Sequence, residues 1–299
     1  MDQIIKSLQD HWQQNRTQDL EKFALQPRPA GARIETDYKY VAHGDNEQTL
    51  NLYFPESAMP KKLPTIIDIH GGGWMYGDRN LNNNYCLYLA SLGYAVMAMS
   101  YRLFPKVGIK SMVQDIFSSL HWLEDYRSDE FDLSKVLLTG DSAGGHLAAL
   151  VMEIQSNEKL QQIYGVKPVN FSFSLVAITC GVVEPDQLKS VKDSLMAQAK
   201  DVYHQLFIKE GNIPFNFSEV ISDGTKMPEV MVIGGGQDRF ISQTELLIKL
   251  LKDHNYRFTA NLIEFDEGPH LGHVFNVSNW EWPESIRVNQ KMIEQFIKE

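Results

Sequence analysis

Cysteine is scarce here, with only Cys86 and Cys180 among 299 residues, 94 positions apart. Both stand in apolar surroundings. A disulfide framework is therefore set aside, as is a zinc site, which needs more ligands at short spacing; two buried free thiols are expected. Long apolar runs are also missing: none approaches the roughly 18 residues of a membrane-spanning helix. The first residues, Met1-Asp2-Gln3-Ile4-Ile5-Lys6-Ser7, lack a basic stretch followed by an apolar one. Nothing there marks the chain for export, so a cytoplasmic protein with no membrane attachment is expected. Positive charge is in short supply, with 28 Lys and Arg against 38 Asp and Glu and a formal net charge of −10. Such a chain is repelled by phosphate backbones, and no basic stripe offsets the repulsion, so nucleic-acid binding is excluded. Tandem repeats, heptads and collagen-like periods are absent too, which removes solenoids, coiled coils and fibres.

The residues that are present describe an ordinary globular protein, 43% hydrophobic and 22% charged, long enough to bury a sizeable core. Residues 1–30 read as an N-terminal helical segment, with Leu8, Trp12, Leu20 and Phe23 at roughly helical spacing and Pro27 and Pro29 ending it. Alternating stretches at 33–38 and 49–54 read as strands. Short β-rich apolar runs follow at 65–69, 94–99, 135–139, 173–178, 229–233 and 260–265. Helical patterns fall at 80–92, 110–126, 143–157, 241–254 and 284–298. This alternation predicts a mostly parallel sheet of about eight strands covered by helices on both faces. Residues 181–226 break the rhythm, being too long for a simple crossover, with a helical stretch near 188–208. They read as a small cap insertion at one end of the sheet. Because Leu195, Val202, Leu206 and Phe207 need something to cover, 1–299 is taken as a single domain.

Chemistry concentrates in four places. Gly140-Asp141-Ser142-Ala143-Gly144-Gly145 follows a strand and opens a helix. That is the context of a nucleophile elbow, in which small residues permit a turn tight enough to lift the Ser142 hydroxyl clear of the sheet. His70-Gly71-Gly72-Gly73-Trp74 also follows a strand; consecutive glycines let backbone N–H groups face a site, as an oxyanion hole requires. A phosphate loop is the rival, but its Lys-Ser/Thr is missing. A serine needs a base and an orienting carboxylate. Asp238, in the loop after the strand at 229–233, is the leading acid in the order Ser, Asp, His. Gly268-Pro269-His270-Leu271-Gly272-His273 offers two bases, 32 and 35 residues beyond Asp238. Spacing does not separate them; His273 is favoured, with His270 as the alternative base. The remaining histidines form no metal spacing, His146 is expected against the sheet, and Tyr101 and Arg102 are expected to brace the glycine loop.

The HGGGW and GDSAGG motifs, 72 residues apart, resemble those of the hormone-sensitive-lipase-like (bacterial type IV) carboxylesterases of the α/β-hydrolase superfamily. Ser100-Tyr101-Arg102-Leu103-Phe104-Pro105, Asp115 with His121-Trp122-Leu123, Gly236-x-Asp238 and His273-Val274-Phe275 resemble further segments of that family. The likeness runs from about residue 62 to the C-terminus and leaves 1–30 and 181–226 without a motif. Val274 departs from the glycine that customarily follows the histidine, and the N-terminal stretch is shorter than the family's cap. The resemblance implies an α/β-hydrolase fold and a serine esterase acting on a small-molecule ester of short or medium acyl chain. It also implies oxyanion donors at the N–H groups of Gly72, Gly73 and Ala143, and no metal or organic cofactor. A homodimer is allowed for. An arylformamidase-like amidase or an acetylxylan-type sugar esterase would use the same residues, and a non-catalytic binder on this fold is the remaining alternative.

Overall fold

The computed structural model describes residues 2–57, 62–190, 194–263 and 271–298, the side chains of 189–190 and 194–199 excepted. Its strands are β1 (Ala32–Lys39), β2 (Thr49–Pro55), β3 (Leu63–Ile69), β4 (Ala95–Met99), β5 (Phe131–Asp141), β6 (Leu175–Thr179), β7 (Glu229–Gly235) and β8 (Phe258–Ile263). They form one 8-stranded sheet in the order β1-β2-β4-β3-β5-β6-β7-β8. β1 and β2 are antiparallel at one edge, and every pairing from β4 through β8 is parallel. The helices are α1 (Asp2–Leu25), α2 (Asn83–Ser91), α3 (Ile109–Arg127), α4 (Ala143–Ser156), α5 (Glu158–Tyr164), α6 (Ser194–Phe207), α7 (Phe217–Val220), α8 (Ile241–Asp253), α9 (Phe275–Ser278) and α10 (Pro283–Lys298). Of these, α5, α7 and α9 are too short to leave a clear period in the sequence.

The period of two along each strand divides the core between the two faces of the sheet. Ile67, Met97, Leu138, Ile178 and Val232 point into one apolar cluster, which α1, α3, α4, α6 and α8 complete. Their neighbours Ile66, Val96, Leu137, Ala177 and Met231 point into the other, which α2 and α10 complete. Strands buried on both faces explain the continuous apolar runs of the sequence. Helix α4 lies deepest, with every residue from Ala143 to Ile154 buried. A truncation such as Leu147→Ala there costs about 2–5 kcal/mol.

In a parallel sheet the carboxyl ends of the strands lie at one edge, where their loops converge. The glycine loop after β3, the turn after β5, the Asp238 loop after β7 and the His273 loop after β8 all fall there. The described residues of 181–226 sit over the same end. Val202, Tyr203, Leu206 and Phe207 are buried, with the rings of Tyr203 and Phe207 packed mostly edge-on against Trp74 and Phe104 of the main body. The side chain of Leu195 lies outside the described residues. Among the described residues no helix is long and apolar enough to cross a membrane.

Candidate active site

The turn between β5 and α4 sets the geometry. Ser142 has φ 53° and ψ −115°, a conformation that strains any residue with a Cβ by about 1–3 kcal/mol. Neighbouring structure holds it there: Ser142 N–H donates to Thr179 O at 2.9 Å, and Ser142 O accepts from Val182 N–H at 3.1 Å. The turn also brings Gly144 against the end of β3, where a Cβ would strike the carbonyl of Ile69. That close approach is the steric reason for the glycine.

His273 stands between the other two side chains. Its Nδ1 lies 2.8 Å from Asp238 Oδ1 and its Nε2 lies 2.8 Å from Ser142 Oγ. The neutral tautomer that satisfies both has Nδ1–H donating to the carboxylate and the serine hydroxyl donating to Nε2. Asp238 is buried, yet its carboxyl is held below its ordinary range. Burial pushes it up, but the hydrogen bond and charge of His273 and the N–H of Phe240 outweigh that. His270 lies outside the described residues. The departure at Val274 now has a backbone context: Val274 takes φ 51° and ψ 33°, the left-handed region a glycine enters without strain.

The glycine loop is pinned from three sides. His70 is buried and stacked on Tyr101 with ring centres 4.4 Å apart, and Tyr101 donates its hydroxyl to His70 O at 2.8 Å. Burial pushes the His70 imidazole down to about 4, so it is neutral. Gly71 N–H donates to Asp141 Oδ1 at 3.1 Å, and Asn82 Nδ2 donates to both Asp141 and Asp68. Both carboxyls are raised, Asp141 to about 6 and Asp68 to about 8, chiefly by burial and, for Asp68, by the Asp141 charge. Arg102 does not brace this loop. It forks onto Asp115 of α3 through Nε and Nη2, at 2.8 and 2.7 Å. Among the described residues no hydrogen bond occupies the N–H groups of Gly72, Gly73 or Ala143. Gly72 and Gly73 line the same cavity as Ser142.

That cavity has a volume of about 270 Å³. Its roof is largely α1, which contributes Trp12, Asn15, Gln18, Asp19, Lys22 and Phe23, whereas the insertion contributes Val182 and Leu188. Trp12 anchors the roof by donating its indole N–H to Tyr203 OH at 2.8 Å and stacking on Tyr76. It fills the space where a Cβ on Gly73 would be. Tyr76 OH donates to Asp19 Oδ2 at 2.6 Å, and Lys22 Nζ donates to Ser278 Oγ at 3.3 Å. The sequence marks none of these roof contacts beyond the spacing of Leu8 and Trp12, because they are made between segments far apart in the chain. His146, expected against the sheet, faces the insertion instead: Nε2 lies 2.6 Å from Phe215 O, and the ring meets Trp74 and Phe207 edge-on.

A family model for the α/β-hydrolase fold matches residues 66–275. The chain belongs to the α/β-hydrolase family. Its place there is among the carboxylesterases. The crystal structure of Esterase B from Lactobacillus Rhamnosis (HN001) is 45% identical, covers 99% of this chain and 95% of that one, and superposes with a TM-score of 0.95. The same esterase inhibited by a C4-C4 SN3 tributyrin phosphonate is 44% identical over 100% of this chain and 96% of that one, with a TM-score of 0.93. More distantly, this hydrolase is 26% identical to Probable carboxylesterase 5 of Arabidopsis thaliana, over 85% of this chain and 84% of that protein. It is 25% identical to Tuliposide A-converting enzyme 1 of Tulipa gesneriana over 84% of its own length, and spans 66% of that enzyme's.

Proposed function

We propose that this hydrolase cleaves carboxylic esters of short to medium acyl chain by serine-based acyl transfer, with residues 1–299 acting as one catalytic unit. The observation that carries the reading is the unbroken line of hydrogen bonds from Ser142 through His273 to Asp238, opening on the cavity. Ser142 Oγ attacks the ester carbonyl as its proton passes to His273 Nε2. Asp238 holds the ring in the tautomer that can accept the proton and stabilises the imidazolium. The oxyanion of the tetrahedral intermediate takes hydrogen bonds from the N–H groups of Gly72, Gly73 and Ala143, which have no partner among the described residues; the last opens helix α4, whose dipole adds to the effect. His273 returns the proton to the departing alcohol, leaving an acyl-serine. Water, deprotonated by the same histidine, attacks the acyl carbon, and collapse releases the acid and restores Ser142.

A cavity of about 270 Å³ suits an acyl group of modest length. Inhibition of the 44% identical Esterase B by a tributyrin phosphonate supports the same range. The polar wall formed by Asn15, Gln18 and Asp19 favours a second reading, an acetylated-sugar ester whose hydroxyl groups that wall would bind. The test is a ladder of p-nitrophenyl esters from acetate to laurate, run beside an acetylated sugar and an aryl formamide, with Ser142→Ala as blank. Turnover of the short esters by wild type alone is expected. Turnover confined to the sugar ester or the amide would overturn the first reading in favour of that substrate.

A further inference from the structure

Cys180, expected from the sequence to be a buried free thiol, lies against the acid–histidine pair. It follows β6 with φ 48°, is wholly buried, and donates its N–H to Ile233 O in β7 at 2.8 Å. Its sulfur, a carboxylate oxygen of Asp238 and a ring nitrogen of His273 all lie within 4.8 Å of one another. The sulfur accepts the N–H of Val274, the residue directly after His273, at 3.4 Å. On the carboxylate, Oδ1 already accepts from His273 Nδ1 and from Phe240 N–H at 2.9 Å. Oδ2 is buried and, among the described residues, has no hydrogen-bond partner as the side chains stand. A buried carboxylate oxygen left without a donor is costly, and the Cys180 thiol, whose sulfur lies within 4.8 Å of an oxygen of that carboxylate, can supply one.

We propose that Cys180 is a positioning residue of the catalytic relay, its S–H donating to Asp238 Oδ2 while its sulfur accepts the N–H of Val274. One small side chain thereby ties the loop after β7 to the loop after β8, and so sets the separation of acid and base. The thiol keeps its proton for this purpose, since burial and the neighbouring Asp238 charge push it well above its ordinary range. A thiolate would place a second negative charge against Asp238 and has no proton to give. The inference rests on the assignment of Asp238 and His273 as acid and base.

Steady-state kinetics and thermal melts of Cys180→Ala, Cys180→Ser and Asp238→Asn, made side by side, test it. The φ at this position disfavours a β-branched replacement, so valine is avoided. Cys180→Ala is expected to lower kcat about tenfold, the effect of one lost hydrogen bond, with KM nearly unchanged. Cys180→Ser, which keeps donor and acceptor, is expected to recover most of kcat. Wild-type kcat in the alanine variant, or equal losses in both variants, would overturn the proposal and leave only a packing role. If the alanine variant does not fold, the far-downfield proton resonance of His273 Nδ1–H in the Cys180→Ser enzyme decides. A hydroxyl draws more charge off the carboxylate than a thiol does, so the resonance should move upfield; an unmoved resonance overturns the proposal. Failure of the underlying assignment shows separately, as near-normal kcat in Asp238→Asn.

Discussion

Beneath the cavity, every residue of α4 from Ala143 to Ile154 is buried, whereas α1, which roofs it, buries only Leu8 and Trp12 and leaves Leu20 56% and Leu25 88% exposed. The floor is fixed by backbone hydrogen bonds, glycines with no room for a side chain, and strands buried on both faces. The roof is fixed by a few side chains: Trp12 on Tyr203 and Tyr76, Asp19 on Tyr76, and Lys22 and Gln26 on Ser278. Chemistry that depends on atoms held to fractions of an ångström is thus placed where neighbours over-determine position. On the proposed reading, substrate selection falls to α1, which a few side-chain contacts hold over the cavity.

Changes to the floor should therefore act on kcat and changes to the roof on KM, and the two sets of variants can break that division. Ser142→Ala is expected to have the largest effect, a fall in kcat of roughly a millionfold with the fold retained, read by ester turnover and circular dichroism. Asp238→Asn should cost about ten-thousandfold in kcat through the wrong histidine tautomer; near-normal turnover would point to another acid. His273→Ala belongs with these, while His270→Ala should keep much of the activity, and the reverse pattern would move the base to His270. In the roof, Trp12→Ala should raise KM about tenfold, a loss of roughly 1.4 kcal/mol of binding, with kcat within a few-fold of wild type. A collapse of kcat in that variant would show that the roof helps to hold the floor, since Trp12 lies against Gly73.

The smallest effect concerns stability. Asp68 is raised to about 8 by burial and by the Asp141 charge. The folded chain therefore retains a proton that the unfolded chain releases above about pH 4. The folded state binds more protons across that window, so stability should fall as pH rises from about 4 to 8. Asp68→Asn removes this contribution and should flatten the dependence of Tm on pH. Asp141, Glu153 and Glu184, also raised by burial, keep a residual slope of the same sign. Thermal melts at several pH values check this, and an unchanged slope would place the buried proton elsewhere.

The readable parts of this molecule were the local ones. A short apolar run is visible over five or six positions, so the strands of a sheet covered on both faces could be read directly. GDSAGG and HGGGW could be read because a tight turn excludes bulk at particular neighbouring positions. Spacing could not separate His273 from His270; the ring of His273 lies between Ser142 and Asp238, and His270 falls outside the described residues. His146 was expected against the sheet because its helix packs there, but its ring turns toward Phe215 of the insertion. Arg102 was expected on the glycine loop beside its neighbour Tyr101, but Asp115, on the next helix, holds it.

From the sequence alone came the α/β architecture, the elbow at Ser142 and the glycine loop, since each follows from the sterics and periodicity of a few adjacent residues. Only the tertiary structure decided that α1, more than the insertion, closes the cavity, that Asn82 links two buried carboxyls behind the glycine loop, and that Cys180 lies against Asp238. These are contacts between segments tens to hundreds of residues apart. No local pattern encodes them, because they exist only once the sheet has brought the ends of its strands together.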